Sequence, residues 1–234
     1  MLVRITNQCQ MGCSHCMVDA TPDGQHMEMG VYIKTLAFIE RFNFRVILIS
    51  GGEPTEHPHF FDMVQEAEER QLHIAILSNG MFLSDPKMKK RILGLKALVQ
   101  ITNDPRFYPT AIDPADHPEF GFETQIRCVS PFGRAITNNI ETGRQSPLCF
   151  NLRSITRHMR DFQRAVQELR VMGKMCTPSV NVDGTLVAGE SPSCAPFGTV
   201  EDSNLELTDN LSELKCSKCG LADNLDENHR KAIG

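Results

Sequence analysis

The sequence predicts an α/β fold organised around a parallel sheet, and three observations carry that prediction. Short apolar runs recur at Leu2–Ile5, Arg45–Ser50, His73–Gly80 and Ala97–Thr102. Segments with apolar residues at helical spacing fall between them, as crossover helices require. Each run also ends in a polar or glycine-bearing stretch, which is where sheets of this kind place their function.

In chain order, Leu2–Ile5 is a short strand that delivers the chain into a cysteine loop. Met29–Phe42 carries Val31, Ile33, Leu36, Ala37 and Ile39 at helical spacing and reads as a helix. Arg45–Ser50 is continuously apolar, as suits a strand buried on both faces. Pro58 opens a second helix whose apolar side is Phe60, Phe61, Val64 and Ala67. His73–Gly80 is a third strand ending in a turn, Asp85–Leu95 a short helix with a basic middle, and Ala97–Thr102 a fourth strand. The cysteine loop, "GGEP", "SNG" and "TNDP" would then converge on one rim.

Beyond Asp104 the pattern weakens. "DPRFYPTAIDPADHPEF" holds four prolines and reads as a long loop, a lid or substrate wall. Thr124–Val129 is the expected last strand of the core. Ile155, Met159, Phe162, Val166 and Leu169 predict a long amphipathic helix ending near Gly173. "PSVNVDGTLVAG" reads as a β-hairpin turning at Asp183–Gly184, followed by cysteine-bearing loop and a polar tail. The expected division is a core at 1–150, a linking helix at 151–173 and a small hairpin appendage at 174–234.

Composition sets limits. The chain has 234 residues and a formal net charge of −5, with no basic run, so nucleic acid is not an expected partner. No charged start followed by an apolar stretch suggests an export signal, and no segment approaches the roughly 18 apolar residues of a membrane span. The expected location is cytoplasmic. The chain opens directly on its first strand, so any peptide recognition is expected from a separate partner. Nine cysteines, an odd number clustered near the two ends, point to metal or redox chemistry rather than disulfides.

Cys9, Cys13 and Cys16 share one loop. A 4Fe-4S cluster normally takes four thiolates, so three leave one iron open to a substrate or cofactor. The competing reading is a zinc site completed by His15 or a distant residue. Further on, Cys176 and Cys194 bracket the hairpin and Cys216-x2-Cys219 follows. That set fits a structural zinc ribbon or an iron–sulfur cluster.

Cys9-x3-Cys13-x2-Cys16 after a first strand resembles the signature loop of the radical S-adenosylmethionine (SAM) superfamily, with His15 where that family usually has an aromatic. Gly51-Gly52-Glu53-Pro54 is similar to its "GGE" motif, whose backbone and acid hold the SAM amino group. Ser78-Asn79-Gly80 resembles its "TNG" turn, and Thr102 with Asp104 occupies the place where a hydroxyl and an acid meet the ribose. "PFGRA" resembles a segment common after the sixth strand, from which Arg134 would reach the SAM carboxylate. The resemblance covers about residues 1–135. It implies a partial (β/α)6 radical SAM barrel, abbreviated in its later strands and open on one side. It also implies SAM at the open iron of a 4Fe-4S cluster and an external flavodoxin- or ferredoxin-like one-electron reductant.

"CTPSVNVDGTLVAGESPSC" resembles the opening of a twitch domain, the short form of the SPASM appendage. This implies one auxiliary 4Fe-4S cluster on Cys176, Cys194, Cys216 and Cys219. The implied function is SAM cleavage to a 5′-deoxyadenosyl radical and oxidative modification of an unactivated C–H bond, by dehydrogenation or cross-linking, with the auxiliary cluster accepting an electron. A peptide-modifying maturase is the alternative. From another class, the alternative is an iron–sulfur electron carrier or zinc-structured binding protein that never cleaves SAM.

Among the remaining residues, Cys128 reads as a buried small hydrophobe, and Cys149 as a candidate catalytic thiol or substitute ligand. Tyr108, His117 and Glu119 in the proline-rich loop are candidates to touch substrate. Glu56 and His57 fit an acid/base pair or, more simply, a helix-opening cap. Asp19 and Asp23 read as turn residues, and the 11 methionines as core filling.

Overall fold

The computed structural model describes residues 1–127, 129–142 and 178–213. Its centre is an eight-stranded sheet in the order β5-β4-β3-β2-β1-β6-β7-β8. The strands are β1 (Leu2–Thr6), β2 (Val46–Gly51), β3 (His73–Ser78), β4 (Ala97–Thr102), β5 (Gly121–Glu123), β6 (Ser179–Val180), β7 (Thr185–Val187) and β8 (Pro196–Thr199). Strands β1 to β6 run parallel to one another, while the β6–β7 and β7–β8 pairs are antiparallel.

Helices α1 (Met29–Arg41), α2 (Phe60–Glu69) and α3 (Pro86–Leu93) supply the first three crossovers. In α1, Tyr32, Leu36 and Ile39 recur at intervals of three and four and are fully buried against Val3, Ile5, Ile47 and Ile49 of the sheet. Tyr32 adds a hydrogen bond from its hydroxyl to the Met63 carbonyl, 2.9 Å, which ties α1 to α2. The start of α3 is set by Asp85, whose carboxylate accepts the backbone N–H groups of Lys87 and Met88, with Pro86 in the first helical position. A one-turn α4 (Arg134–Thr137) and α5 (Asn204–Glu213) complete the described helices.

The predicted strands and helices of the first half lie within a few residues of their expected limits. The hairpin also forms, with Gly184 in the left-handed region at φ 86° between β6 and β7. Three things differ. The fifth strand is Gly121–Glu123, ahead of the expected Thr124–Val129, because Gly121–Glu123 pairs with Gln100–Thr102 while Ile126 is pulled out of the sheet by Asp104. The stretch after the hairpin adds β8 and α5, where a structureless tail was expected. The signal for α5 was present: Ser203 and Glu206 form a reciprocal capping box, each accepting the other's backbone N–H. Lastly, β6 pairs directly with β1, so the hairpin continues the core sheet. The expected division near residue 150, the long helix and Cys128, Cys149, Cys176, Cys216 and Cys219 lie outside the described residues.

Candidate active site

The carboxyl end of β1 enters the cysteine loop, and the loop is fixed by backbone pairing on two sides. Gly52 donates to the Thr6 carbonyl at 2.7 Å and Glu53 to the Gln8 carbonyl at 2.8 Å. A side chain at Gly52 would place its Cβ 2.2 Å from that Gln8 oxygen, so only glycine allows the approach. On the far side, Cys9 donates to Thr21 and Ser14 to Phe107. Gly133, at φ 57°, lies over the loop so closely that a Cβ would stand 2.3 Å from the Cys16 carbonyl, which the Arg134 N–H caps at 3.0 Å. The "PFGRA" segment is thereby seated on the cysteine loop.

A cavity of about 370 Å³ opens at this rim. Cys9, Cys13, His15 and Cys16 form one wall, and Gly51, Gly52, Ser78, Asn79, Thr102, Tyr108 and Arg134 line it further. These are most of the residues singled out from the sequence, brought together from four strand ends. Leu48, Leu77, Ile126 and Val129 give it an apolar lining. Such a mixture, mostly apolar with a few convergent polar groups, is typical of a small-molecule site.

Two expected contacts fall elsewhere. Asp104 does not line the cavity. Its carboxylate accepts from the Arg106 backbone at 3.0 Å, the Arg106 Nε at 2.9 Å and the Ile126 backbone at 2.8 Å, which holds its pKa far below the usual carboxylate range. The acid beside Thr102 that does face the cavity is Glu123, its partner across β4 and β5. Glu53 is fully enclosed and its carboxylate accepts four hydrogen bonds, from Thr55 N and Oγ1, Ser78 Oγ and Asn79 N. Burial pushes its pKa up, while those donors work the other way. In this conformation Glu53 locks the "GGE" turn to the "SNG" turn and leaves the glycine backbone to face the cavity.

His57 is a structural residue. Its Nε2 meets the Met27 carbonyl at 3.0 Å and its Nδ1 accepts the His59 N–H at 3.0 Å, so both ring nitrogens are used by the neutral tautomer. Glu56 accepts the Gln10 N–H, bracing the cysteine loop rather than pairing with His57. Lys89 engages both His117 and Glu119 away from the cavity. Asp19 stands 3.8 Å from Arg134.

The donor set at the cysteines fits an iron–sulfur cluster. Burial raises the Cys13 thiol to about 12, with Cys9 and Cys16 adding to the effect, and burial also raises Cys9. Three thiolates so close together require a cationic group to stabilise them. Met11 N and Asn79 Nδ2 both point at the Cys9 sulfur, each at 3.4 Å, as donors to a thiolate would. Among the described residues, no three His, Cys, Asp or Glu side chains converge tightly enough to share a single metal ion. Zinc demands all its ligands within about 2.3 Å of one centre, whereas a cluster meets each thiolate at a different iron. The imidazole expected to complete a zinc site is that of His15. That ring packs instead against Phe107 and Tyr108 at 4.8 and 5.3 Å, with its Nδ1 buried and unpartnered, and burial lowers its pKa. Arg134 Nε is likewise buried on the cavity wall with no hydrogen bond, its nearest charged partner being the Asp19 carboxylate at 3.8 Å. Of the second cysteine set, Cys194 alone is described; it is half-buried beyond the hairpin.

Comparison with known proteins gives the same direction. Residues 3–102 match the model of the radical SAM superfamily. A tungsten-containing aldehyde ferredoxin oxidoreductase cofactor-modifying protein of Pyrococcus furiosus is 33% identical over 93 residues, covering 38% of this chain and 26% of that protein. An S-adenosylmethionine-dependent nucleotide dehydratase of a Thermoplasmatales archaeon is 26% identical over 119 residues, covering 51% of this chain and 40% of that one. The chain thus spans between about a quarter and two fifths of the length of these curated relatives. Among solved structures, BtrN in complex with AdoMet and 2-DOIA shares the fold at a TM-score of 0.54, with 13% identity over 91% of this chain and 83% of that one. No helix among the described residues is long and apolar enough to cross a membrane.

Proposed function

We propose that this chain, a member of the radical SAM superfamily through its residues 3–102, cleaves SAM and uses the product radical for oxidative C–H chemistry. The observation that carries the reading is the convergence of Cys9, Cys13 and Cys16 on the same cavity as Gly51-Gly52, Ser78-Asn79, Thr102 and Arg134. A 4Fe-4S cluster with one open iron supplies, when bound with SAM, one-electron cleavage of the sulfonium bond and a carbon radical able to remove hydrogen from unactivated carbon.

The chain's own residues hold, orient and enclose. Cys9, Cys13 and Cys16 hold the cluster, and Asn79 and the Met11 backbone donate to the Cys9 sulfur. The backbone edge of Gly51 and Gly52 takes the SAM amino group, and Arg134, whose Nε makes no hydrogen bond within the chain, takes its carboxylate. Thr102 and Glu123 meet the ribose hydroxyls, and Ile126 and Val129 cover the base. Tyr108 packs with Cys9, Cys13 and Cys16, and burial together with those thiols keeps its phenol protonated, so its role is to exclude water from the loop. Cys194, together with Cys176, Cys216 and Cys219, completes an auxiliary 4Fe-4S cluster that accepts the electron left on the substrate. A flavodoxin- or ferredoxin-like protein supplies the initiating electron.

Anaerobic reconstitution followed by incubation with SAM and a strong reductant tests the reading. Release of 5′-deoxyadenosine supports it. An iron-loaded protein that leaves SAM intact overturns it. Deuterium transfer from a candidate substrate into 5′-deoxyadenosine then identifies the carbon attacked.

A further inference from the structure

The guanidinium of Arg4 is the one strongly basic group sealed inside the described core. Its strand, β1, reads Leu-Val-Arg-Ile-Thr, and every residue of it is buried. Val3 and Ile5 point into the hydrophobic core, while Leu2 and Arg4 alternate to the cavity face. Arg4 is 1% exposed. A positive charge in that position costs several kcal/mol unless something compensates it.

The compensation visible in the chain is half of what the group needs. Nη1 donates to Ser179 Oγ at 2.7 Å and to Asn181 Oδ1 at 3.0 Å, both neutral groups on the C-terminal hairpin. Ser179 Oγ is itself oriented by donating to the Gly189 carbonyl. Nη2 is buried with no hydrogen-bond partner. Arg4 forms no ion pair with any described carboxylate. Glu190, exposed on the cavity rim, and Cys194 act on it only through space. Burial lowers its pKa to about 10, which leaves it charged at neutral pH. The hairpin thus fixes the direction of a charged fork while leaving one of its prongs unused.

The geometry points to Arg4 as a substrate-binding residue whose free Nη2 takes an oxyanion, a carboxylate or phosphate group, of the molecule that reacts. Ser50, paired with Arg4 across β1 and β2 and also on the cavity wall, stands beside that position. An arginine held by two neutral acceptors is a better oxyanion receptor than one already in an ion pair, because its charge is not yet neutralised. The site lies on the β1 side of the cavity, while the proposed ribose contacts Thr102 and Glu123 lie on β4 and β5. The substrate anion therefore lies across the cavity from the ribose of SAM, on the side where Gly51 and Gly52 hold its amino group. The assignment rests on the radical SAM reading for the word substrate, but the receptor itself is a property of the fold.

Calorimetric titration of the reconstituted protein, with and without SAM, using inorganic phosphate and acetate as probes tests this directly and needs no turnover. At least one of the two should bind saturably at millimolar concentration, phosphate alone marking a phosphoryl substrate and acetate a carboxylic one. Arg4→Gln should weaken that binding by about tenfold or more while SAM binding stays within about twofold of wild type. Arg4→Lys keeps the charge but loses the fork, and should weaken binding by roughly threefold; it decides the question should the glutamine variant fail to fold. Absence of saturable binding of either probe to the wild-type protein, or equal binding by the variants, overturns the proposal. Because the probes report on Arg4 without SAM cleavage, a failure of catalysis and a failure of this site are read separately.

Discussion

The side-chain amide of Asn79 reaches the sulfur of Cys9 across 3.4 Å, joining the turn after β3 to the cysteine loop after β1. The same side chain accepts the Met81 N–H through Oδ1 at 2.9 Å, so its orientation is fixed. Donors to a ligating sulfur stabilise the reduced, more negative form of a cluster. Asn79→Asp keeps the Oδ1 contact and removes the donor. It should lower the cluster's midpoint potential and reduce SAM cleavage by about 10- to 100-fold, with iron content near wild type. Redox titration followed by electron paramagnetic resonance measures it; an unchanged potential removes Asn79 from this role.

The two cysteine sets should separate in an iron assay. Cys13→Ala is expected to lose about half of the roughly eight irons of a doubly loaded protein and all SAM cleavage. Cys194→Ala should lose the other half, retain cleavage and fail to form product. Loss of nearly all the iron in either variant, or loss of SAM cleavage in Cys194→Ala, would mean that the sets do not hold separate clusters.

Gly133 should not tolerate a side chain. Its φ of 57° with ψ of −138° is a conformation nearly reserved for glycine, costing an L-residue about 1–3 kcal/mol, and a Cβ would stand 2.3 Å from the Cys16 carbonyl. Gly133→Ala should therefore lower Tm by roughly 5 °C and loosen iron binding, although the residue carries no chemistry. Thermal unfolding of the apo- and iron-loaded forms reads both effects.

The Asp104–Arg106 clamp gives a pH dependence with a definite sign. The carboxyl's folded pKa lies below its unfolded value of about 3.9, so its contribution is complete above that value and is lost as the pH falls through the folded pKa. Asp104→Asn should cost roughly 2 kcal/mol at neutral pH, since it breaks charge-assisted bonds to Arg106 and Ile126. The difference from wild type should shrink in acid. A denaturant midpoint measured at pH 7 and near pH 3 checks this, and a constant difference would contradict it.

Much of the core was legible because the signals were local. Continuous apolar runs gave β1 to β4, and the glycine turns that follow them gave most of the cavity wall. Strand β5 was displaced because three residues of pairing are decided by what lies beside them. Here that is β4, together with an aspartate that extracts Ile126. The same event hid the roles of Asp104 and Glu123, whose side-chain directions follow from the register rather than from the residue types. Arg4 carried a signal that went unused: a charged residue inside an apolar strand run is either at the surface or is kept for a purpose. The hydrogen bonds that aim it come from residues 175 and 177 positions away, which no local pattern contains.

The pairing of β1 with β6 has a consequence for how the protein is made. At about 5–20 residues per second, the outer edge of β1 waits roughly 9–35 s on the ribosome before Ser179–Val180 exists to cover it. Through that interval the cysteine loop and its neighbouring turns can already be assembled, while the Arg4 side of the cavity still lacks its hairpin and the strand edge is open to wrong partners. Cluster insertion during that window would load the loop before the substrate pocket is finished. The oxygen-sensitive centre and the pocket that shields it would then mature at different times, and escort of the nascent chain would bear on yield as much as iron supply does.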